Sequence, residues 1–341
     1  MFAALLEKLQ RRQDLTVEES AAAMEEIMEG RAQSAQIAGL LIGLAMKGER
    51  PSEVVGLART MRSRATRLSR QFSDVFDTCG TGGDRAHTFN VSTVSALIVA
   101  ACGVRVAKHG NRSVSSRCGS ADLFEALGVN ISATPAVVER CLEQAGIAFF
   151  FAPTFHPSMR HVAPTRKDLG VRTAFNLLGP LTNPAGAERQ LVGVPRPELT
   201  ELVARSLGML GSTRAWVVHG ADGLDEISTT GYTKVSEYRD GAVNTFYIHP
   251  ADVGLPKAAP EALRGADATE NARIARDVLN GTTGAPRDIV LLNAGASLLI
   301  AGAVPDMATG ISRAAAALDS GAAAATLEQL TAISNAAPEA A

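Results

Sequence analysis

The chain has 341 residues, and its 33 lysines and arginines against 35 aspartates and glutamates give a formal net charge of −2 at pH 7. This length allows a large core and predicts about two domains. The near-neutral charge provides no general attraction for nucleic acid or an anionic membrane, so we expect neither as a partner. The hydrophobic fraction is 46% and the aromatic fraction 4%, which is typical of an α/β or α-rich enzyme with an aliphatic core.

The cysteines and the N-terminal segment predict a cytoplasmic location. None of the four cysteines stands in a C-x-x-C pair, which disfavours zinc and redox motifs and is consistent with a reducing compartment. Residues 1–13 are amphipathic and charged, unlike the apolar core of a signal peptide. No apolar run reaches the about 18 residues of a membrane span.

Residues 1–67 predict a small helical domain. Thr16 and Glu19 form a capping-box pattern, and Gly30 and Gly48 stand where helices are expected to end. The predicted helices cover residues 1–13, 16–30, 34–47 and 51–65. Their apolar faces exceed what a small domain easily buries, so we expect a homodimer through these helices. We expect a solvated linker face from Arg62, Arg64, Arg67 and Arg70.

Residues 72–335 predict a larger α/β domain, because strand and helix patterns alternate along them. The expected fold class is therefore α/β, with a small N-terminal helical domain and a central, mainly parallel sheet. Residues 164–172 have a helical pattern, and residues 175–184 (FNLLGPLTNP) read as a loop-rich crossing. We interpret the segment 164–184 as a hinge towards the helical domain.

A glycine-rich stretch, residues 76–84 (FDTCGTGGD), lies between a short apolar strand and the N-terminus of an apolar helix. Backbone N–H groups and the positive end of a helix dipole make this arrangement suitable for an anion, usually phosphate. A dinucleotide fingerprint would need a third glycine where Arg85 stands, and a P-loop would need a following Gly-Lys-Ser/Thr. A plain structural turn remains the other interpretation.

Two further polar segments follow predicted strands, at the carboxyl ends where ligands bind in open α/β sheets. Residues 108–116 (KHGNRSVSS) form a basic, hydroxyl-rich loop that could surround a phosphate or could simply be solvated. Residues 222–226 (DGLDE) carry oxygen ligands suited to Mg²⁺ or form an acidic surface turn. Neighbouring residues of an extended strand point to opposite faces, so we expect Asp225 and Glu226 to serve two ions, or one ion through water.

Arg166 stands in the short helix near the expected hinge. A guanidinium there could bind a planar carboxylate through two hydrogen bonds, although a lone arginine is more often an ordinary solvated residue. The sequence contains no G-x-S-x-G or H-E-x-x-H motif, and neither His156 nor His161 has the partner pattern of nucleophilic catalysis.

Together these segments resemble one family, the anthranilate phosphoribosyltransferases. The resemblance covers nearly the whole chain, in order and spacing. Its motifs are GTGGD at 80–84, NVST at 90–93, KHGNRS at 108–113, HP at 156–157, RTAFNLLGPLTNP at 172–184 and DGLDE at 222–226. The resemblance implies a nucleoside phosphorylase-like fold, a homodimer, and transfer of phosphoribose from phosphoribosyl diphosphate to anthranilate in tryptophan biosynthesis, with Mg²⁺ and two ions per subunit expected.

The resemblance also implies the roles of individual residues. Phosphoribosyl diphosphate is expected to contact Gly80, Gly83, Asp84, Thr88, Asn90, Val91, Ser92, Thr93, Lys108, His109, Gly110, Asn111, Arg112, Ser113, Val114, Ser115, Ser116 and Ser120. Anthranilate is expected to contact Gly80, Asn111 and Arg166. Mg²⁺ is expected on Ser92, Asp225 and Glu226. No residue is expected to act as nucleophile or base, and Lys108 is expected to stabilise charge on the leaving diphosphate.

Arg85 departs from the family pattern, which commonly has another glycine there, so the residues after Asp84 are bulkier than usual. Two alternative functions remain. A pyrimidine nucleoside phosphorylase of the same fold would use free phosphate, but its family typically has Lys-His-Ser-Thr-Gly-Gly where this chain has KHGNR at 108–112. A non-catalytic relative that binds nucleic acid would need a basic surface.

Overall fold

A computed structural model gives the fold and describes residues 1–84, 86–113 and 117–336. The N-terminal helices are α1 (Phe2–Gln10), α2 (Val17–Met28), α3 (Ser34–Lys47) and α4 (Pro51–Ser63). Among the described residues, no helix is long and apolar enough to cross a membrane.

Local signals set the limits of these helices. Thr16 and Glu19 form the expected capping box, in which the Thr16 side chain accepts from the Glu19 N–H and the Glu19 carboxylate accepts from the Thr16 N–H. Gly30 follows α2 with a φ of 71°, a conformation that glycine adopts without steric cost. Helix α1 packs closely on α3, where an added Cβ at Gly43 would come within 2.9 Å of Leu9.

The central sheet has seven strands within the described residues, in the order β3-β2-β1-β4-β5-β6-β7. These strands are β1 (Phe76–Thr78), β2 (Val106–Gly110), β3 (Ile147–Phe151), β4 (Arg189–Gly193), β5 (Arg214–Gly220), β6 (Thr233–Arg239) and β7 (Ala242–Ile248). Strands β1 to β5 are parallel, and β6 and β7 add an antiparallel edge. The expected α/β class with a mainly parallel sheet is confirmed.

Helices cover the sheet and connect its strands. They are α5 (Val91–Ala101), α6 (Ser120–Ala126), α7 (Pro135–Gln144), α8 (Ala152–Phe155), α9 (Ala163–Leu169), α10 (Phe175–Leu181), α11 (Leu199–Met209), α12 (Ala268–Leu279), α13 (Ala285–Ile300), α14 (Met307–Asp319) and α15 (Ala322–Asn335). Short 3₁₀ turns lie at Pro157–His161, Pro250–Val253 and Pro260–Leu263.

The hydrophobic core has two parts on opposite faces of the sheet. One part lies among α5, α7, α13 and the strands β1 to β3. The other joins the four N-terminal helices to α10, α11 and one face of β4 and β5, including Val192 and Val217. The N-terminal helices therefore pack against the sheet, with α10 and α11 between them and the strands.

The structure corrects three expectations. Residues 175–181 form helix α10, with Pro180 inside it, although Gly and Pro signals suggested a loop. Strand β4 was not anticipated, because its five residues show little alternation of apolar and polar side chains and so give a weak strand signal. Arg62 is not solvated: it donates to the carbonyl oxygens of Leu181 and Leu210, at 2.6 and 2.9 Å, and burial lowers its pKa to about 10.

Candidate active site

A cavity of about 640 Å³ opens at the carboxyl ends of the parallel strands, between the sheet and the segment 152–180. It lies at the edge where open α/β sheets bind ligands. Its walls come from the glycine loop (residues 79–84), the end of β2 and the loop after it, helices α9 and α10, and the acidic loop (residues 221–230). Met61 of α4 also reaches it, so the helical region contributes to this wall.

The glycine loop and the acidic loop are in very close contact. The Gly82 N–H donates to an Asp225 carboxylate oxygen at 3.1 Å, and the Thr81 N–H donates to the Gly193 carbonyl at 2.9 Å. A Cβ at Gly193 would lie 1.6 Å from the Asp225 carbonyl oxygen. Gly82 and Gly83 have φ values of 62° and 85°. Glycine is therefore required in this corner both for close approach and for backbone conformation.

Asp225 and Glu226 both line the cavity. They lie in a loop rather than in an extended strand, so the expectation that they face opposite ways is wrong. The Ser92 N–H, at the start of α5, donates to a Glu226 carboxylate oxygen at 3.1 Å. Burial and then the nearby Asp84 carboxylate raise the pKa of Asp225 well above its ordinary value. Burial and then Asp225 do the same to the pKa of Glu226.

This donor set fits Mg²⁺ better than a metal held entirely by protein. The described part of the chain has no group of three or more His, Cys, Asp or Glu side chains placed to hold a metal. Mg²⁺ typically binds through one or two carboxylates together with substrate phosphates and water. Two partly buried, mutually repelling carboxylates beside the Ser92 hydroxyl supply hard oxygen atoms and an excess of negative charge.

Lys108 is part of strand β2 and is 1% exposed, so its predicted place in a polar loop is wrong. Its ammonium donates to the Thr78 carbonyl, to the Thr78 hydroxyl at 3.2 Å and to the Ser92 hydroxyl at 3.5 Å. Asp77 beneath it is fully buried, and burial raises the pKa of Asp77 to about 6 against the opposing effect of the Lys108 charge. Lys108 thus supplies positive charge from below the acidic pair.

Most of the predicted site residues surround this one cavity. The described lining includes Gly80, Gly83, Asp84, Thr88, Asn90, Ser92, Thr93, Lys108, His109, Gly110, Asn111, Arg112, Ser113, Ser120, Arg166, Asp225 and Glu226. Val91 does not line it, because its side chain is 1% exposed and packs in the core. Arg85, Val114, Ser115 and Ser116 lie outside the described residues.

The cation of Arg112 has carboxylate partners within the protein. Its guanidinium donates to Asp122 at 2.9 Å and to both carboxylate oxygens of Glu125 at 2.8 and 2.9 Å. Asp122 also accepts from the N–H groups of Ser113 and Gly119, at 3.1 and 2.8 Å. Asp122 therefore links Ser113 to Gly119, which precedes α6.

Arg166 lies across the cavity in helix α9, with its guanidinium 5.5 Å from the centre of the Phe175 ring. Burial and then the charge of Arg172 lower the pKa of Arg166. Among the residues that the structure describes, no carboxylate pairs with it. A partly buried cation without a carboxylate partner is costly unless a ligand supplies the negative charge.

Several further residues line the cavity, and of these the sequence analysis considered only Arg172, as a second candidate for binding the anthranilate carboxylate. Arg172 lies against the glycine loop, where a Cβ at Gly83 would meet its guanidinium. Asn176, Gly179 and Pro180 of helix α10 also face the cavity. These residues belong to the segment 172–184, which the sequence analysis interpreted as part of a hinge and not as part of the cavity wall.

His109 and His156 form a buried pair, with ring centres 5.2 Å apart. His109 Nδ1 donates to the Gly179 carbonyl and His156 Nε2 to the Thr182 carbonyl, each at 3.0 Å. The opposite ring nitrogens have no hydrogen-bond partner among the described residues. Burial lowers the pKa of His109 to about 3 and that of His156 to about 4, so both rings are neutral at pH 7.

The free energy of unfolding is expected to fall as the pH drops from about 6.5 towards 4. The unfolded state takes up protons on these histidines before the folded state does, a loss of up to about 1.4 kcal/mol per pH unit for each ring. The free energy of unfolding, measured with urea at about pH 7.5 and about pH 5, should fall less between these two pH values in His156→Leu than in the wild type. An equal fall in the free energy of unfolding in the variant and the wild type would contradict the prediction.

Comparison with known proteins agrees with this geometry. The chain matches the helical bundle domain of the glycosyl transferase family over residues 3–65 and the a/b domain of that family over residues 73–324. It is 54% identical over 332 residues to the anthranilate phosphoribosyltransferase of Moorella thermoacetica, covering 97% of this chain and 98% of the relative.

Two solved structures have the same fold. The crystal structure of anthranilate phosphoribosyltransferase from Thermus thermophilus has a TM-score of 0.91 and 45% identity, covering 97% of this chain and 99% of that one. The Saccharomyces cerevisiae enzyme in complex with PRPP (phosphoribosyl diphosphate) and Mg has a TM-score of 0.89 and 26% identity, covering 98% of this chain and 97% of that one. The chain therefore belongs to the anthranilate phosphoribosyltransferase family.

Proposed function

We propose that this chain transfers the 5-phosphoribosyl group from phosphoribosyl diphosphate to the amine of anthranilate, giving N-(5-phosphoribosyl)anthranilate and diphosphate, in tryptophan biosynthesis. The observation that carries the proposal is the charge distribution of one cavity. Carboxylates gather at the strand ends, and Arg166 lies on the opposite wall without a carboxylate partner among the described residues. The names of the similar enzymes agree with it.

The proposed site for phosphoribosyl diphosphate lies between the glycine loop and the end of β2. The N-terminus of α5 favours an anion through its dipole, although the Gly82 and Ser92 N–H groups donate to Asp225 and Glu226 in this structure. The neutral side chains of Asn90, Thr93, Asn111 and Ser120 add hydrogen-bonding groups around the sugar. Residues 114–116 belong to the proposed site by motif alone.

The proposed metal site consists of Asp225, Glu226 and the Ser92 hydroxyl, with two ions per subunit. The yeast relative was solved with PRPP and Mg, which supports the choice of metal. When bound, Mg²⁺ supplies positive charge to the diphosphate oxygens and so stabilises the leaving group. Lys108 contributes through its contact with Ser92 and through its charge below the carboxylates.

The chemistry requires positioning more than a strong base. The amine nitrogen of anthranilate is neutral at pH 7, and its lone pair forms the new bond to C1 of the ribose. The C1–O bond to diphosphate breaks with its electron pair on the diphosphate, and one amine proton passes to water or to the departing diphosphate. A cavity that orients two substrates and stabilises the departing charge suits a site without a nucleophile.

The assay that tests this proposal is the loss of anthranilate fluorescence on adding phosphoribosyl diphosphate and Mg²⁺. Asp225→Ala and Glu226→Ala should each lose most activity while their far-UV circular dichroism stays that of the wild type, because the metal loses a ligand. EDTA should stop the wild-type reaction. Activity that survives both substitutions, or EDTA, would exclude this metal role.

Arg166 is proposed to bind the carboxylate of anthranilate. A hydrogen bond to a charged group contributes about 1.5–3 kcal/mol, so Arg166→Ala should raise the KM for anthranilate by about tenfold to a hundredfold. The KM for phosphoribosyl diphosphate should change much less. Lys167→Ala, which removes an exposed cation from the same helix, and Arg172→Ala are the comparison variants. If Arg166→Ala has no effect and one of these raises the KM for anthranilate, the carboxylate contact lies there instead. Equal effects on both substrates would indicate a structural arginine.

We also propose two domains, 1–67 and 72–335, joined by a hinge or crossing segment near 164–184, and a homodimer through the N-terminal helices. Support for the dimer comes from α3, where Ala38, Ile42 and Met46 form an apolar stripe on its partly exposed face. Met46 is 75% exposed. The cytoplasmic location stays a prediction.

Light scattering at micromolar concentration should give the mass of a dimer for the wild type. Met46→Glu should shift the protein towards a monomer, because it places a charge in a desolvated interface. A Glu substitution at Met209, which is 51% exposed on α11, is the control and should stay dimeric. A wild-type monomer would contradict the proposal.

A further inference from the structure

The acidic loop is held from both sides by polar contacts that do not touch the cavity. One contact comes from the distant helix α13, and the other lies within the loop itself. Neither residue involved, Asn293 or Asp222, lines the large cavity. The inference below rests on the proposed metal role of Asp225 and Glu226.

Asn293 is fully buried on helix α13 and holds both backbone groups of Ile227. Its Oδ1 accepts from the Ile227 N–H at 3.0 Å, and its Nδ2 donates to the Ile227 carbonyl at 2.8 Å. Nδ2 also donates to the Ile289 carbonyl one turn back on α13, at 2.8 Å. The amide is thereby held at both ends in one orientation.

Ile227 directly follows Glu226 in the chain. The peptide plane between them contains the Ile227 N–H, so the bond to Asn293 orients the backbone on which Glu226 is mounted. The Ile227 side chain is itself buried in the core. The carboxyl-terminal side of the acidic pair is therefore fixed both by packing and by two hydrogen bonds.

Asp222 secures the other side of the pair. Its carboxylate accepts from the Leu224 N–H at 3.2 Å, from the Ser228 hydroxyl at 2.6 Å and from the Thr230 hydroxyl. The loop thus closes on itself across Asp225 and Glu226. The Gly220 N–H also donates to the Leu224 carbonyl at 2.8 Å, which joins the end of β5 to the acidic loop.

These hydrogen bonds matter because the carboxylates of Asp225 and Glu226 repel each other. Asp225, Glu226 and Asp84 are carboxylates around one corner of the cavity, and like charges at close range favour a loop that opens. A metal site also needs its ligands within a few tenths of an ångström of their working geometry. We infer that Asn293 and Asp222 are positioning residues that hold the two carboxylates ready for a divalent cation.

The test is the affinity of the protein for Mn²⁺, measured by electron paramagnetic resonance of the free ion without diphosphate, which would itself bind the ion. Asn293→Ala and Asp222→Asn should each weaken Mn²⁺ binding by about tenfold to a hundredfold, the usual effect of removing a residue that supports a metal ligand. In the enzyme assay the Mg²⁺ concentration for half-maximal rate should rise by the same factor, while the KM for anthranilate stays unchanged. Asp222 is exposed, so Asp222→Asn provides a folded variant if Asn293→Ala is unstable.

Leu298→Ala is the control for general destabilisation, because Leu298 is fully buried on the same helix and its side chain has no hydrogen-bonding group. It should lower the Tm and leave the Mn²⁺ affinity unchanged. Mn²⁺ affinity that is unchanged in Asn293→Ala and Asp222→Asn, or weakened equally in Leu298→Ala, overturns the inference. Asp225→Asn and Glu226→Gln distinguish a failure of this inference from a failure of the proposed metal site. If these two variants also keep the wild-type affinity for Mn²⁺, the metal site itself is wrongly assigned.

Discussion

The structure depends on one close approach, between the glycine loop and the acidic loop. The Asp225 carbonyl lies where a side chain at Gly193 would be, and the Asp225 carboxylate accepts from the Gly82 N–H. This contact places carboxylates directly beside the N-terminus of α5. A helix N-terminus attracts anions, and two carboxylates attract a metal cation. This corner is where we propose that the phosphate group and its neutralising ion bind.

The acidic pair, the buried Lys108 and Arg166 occupy different parts of the cavity wall. Lys108 lies below the acidic pair as a buried countercharge, bonded to Thr78 and Ser92. The wall between the acidic end and Arg166 includes two histidines that burial keeps neutral. The two histidines therefore add no positive charge to the cavity wall at neutral pH.

The N-terminal helices contribute to the site mainly through their packing. They share a hydrophobic core with α10, α11 and one face of the sheet, and Arg62 connects α4 to the ends of α10 and α11 through two backbone carbonyls. Since α10 also lines the cavity, its position relative to the strands depends on this shared core. The helical region thus affects the site, although among the described residues Met61 alone reaches the cavity from it.

Features that depend on neighbouring residues could be predicted from the sequence alone. The capping box at Thr16, the glycine at the end of α2 and the alternation of strands with helices follow local rules of hydrogen bonding and periodicity. Most of the residues that the motifs singled out line one cavity. Tertiary packing set the burial of Lys108 and the contacts of Arg62. It also set the position of Asn293, which lies 66 residues from its partner Ile227. These depend on which faces pack together, and local pattern does not encode the packing of segments that are distant in the chain.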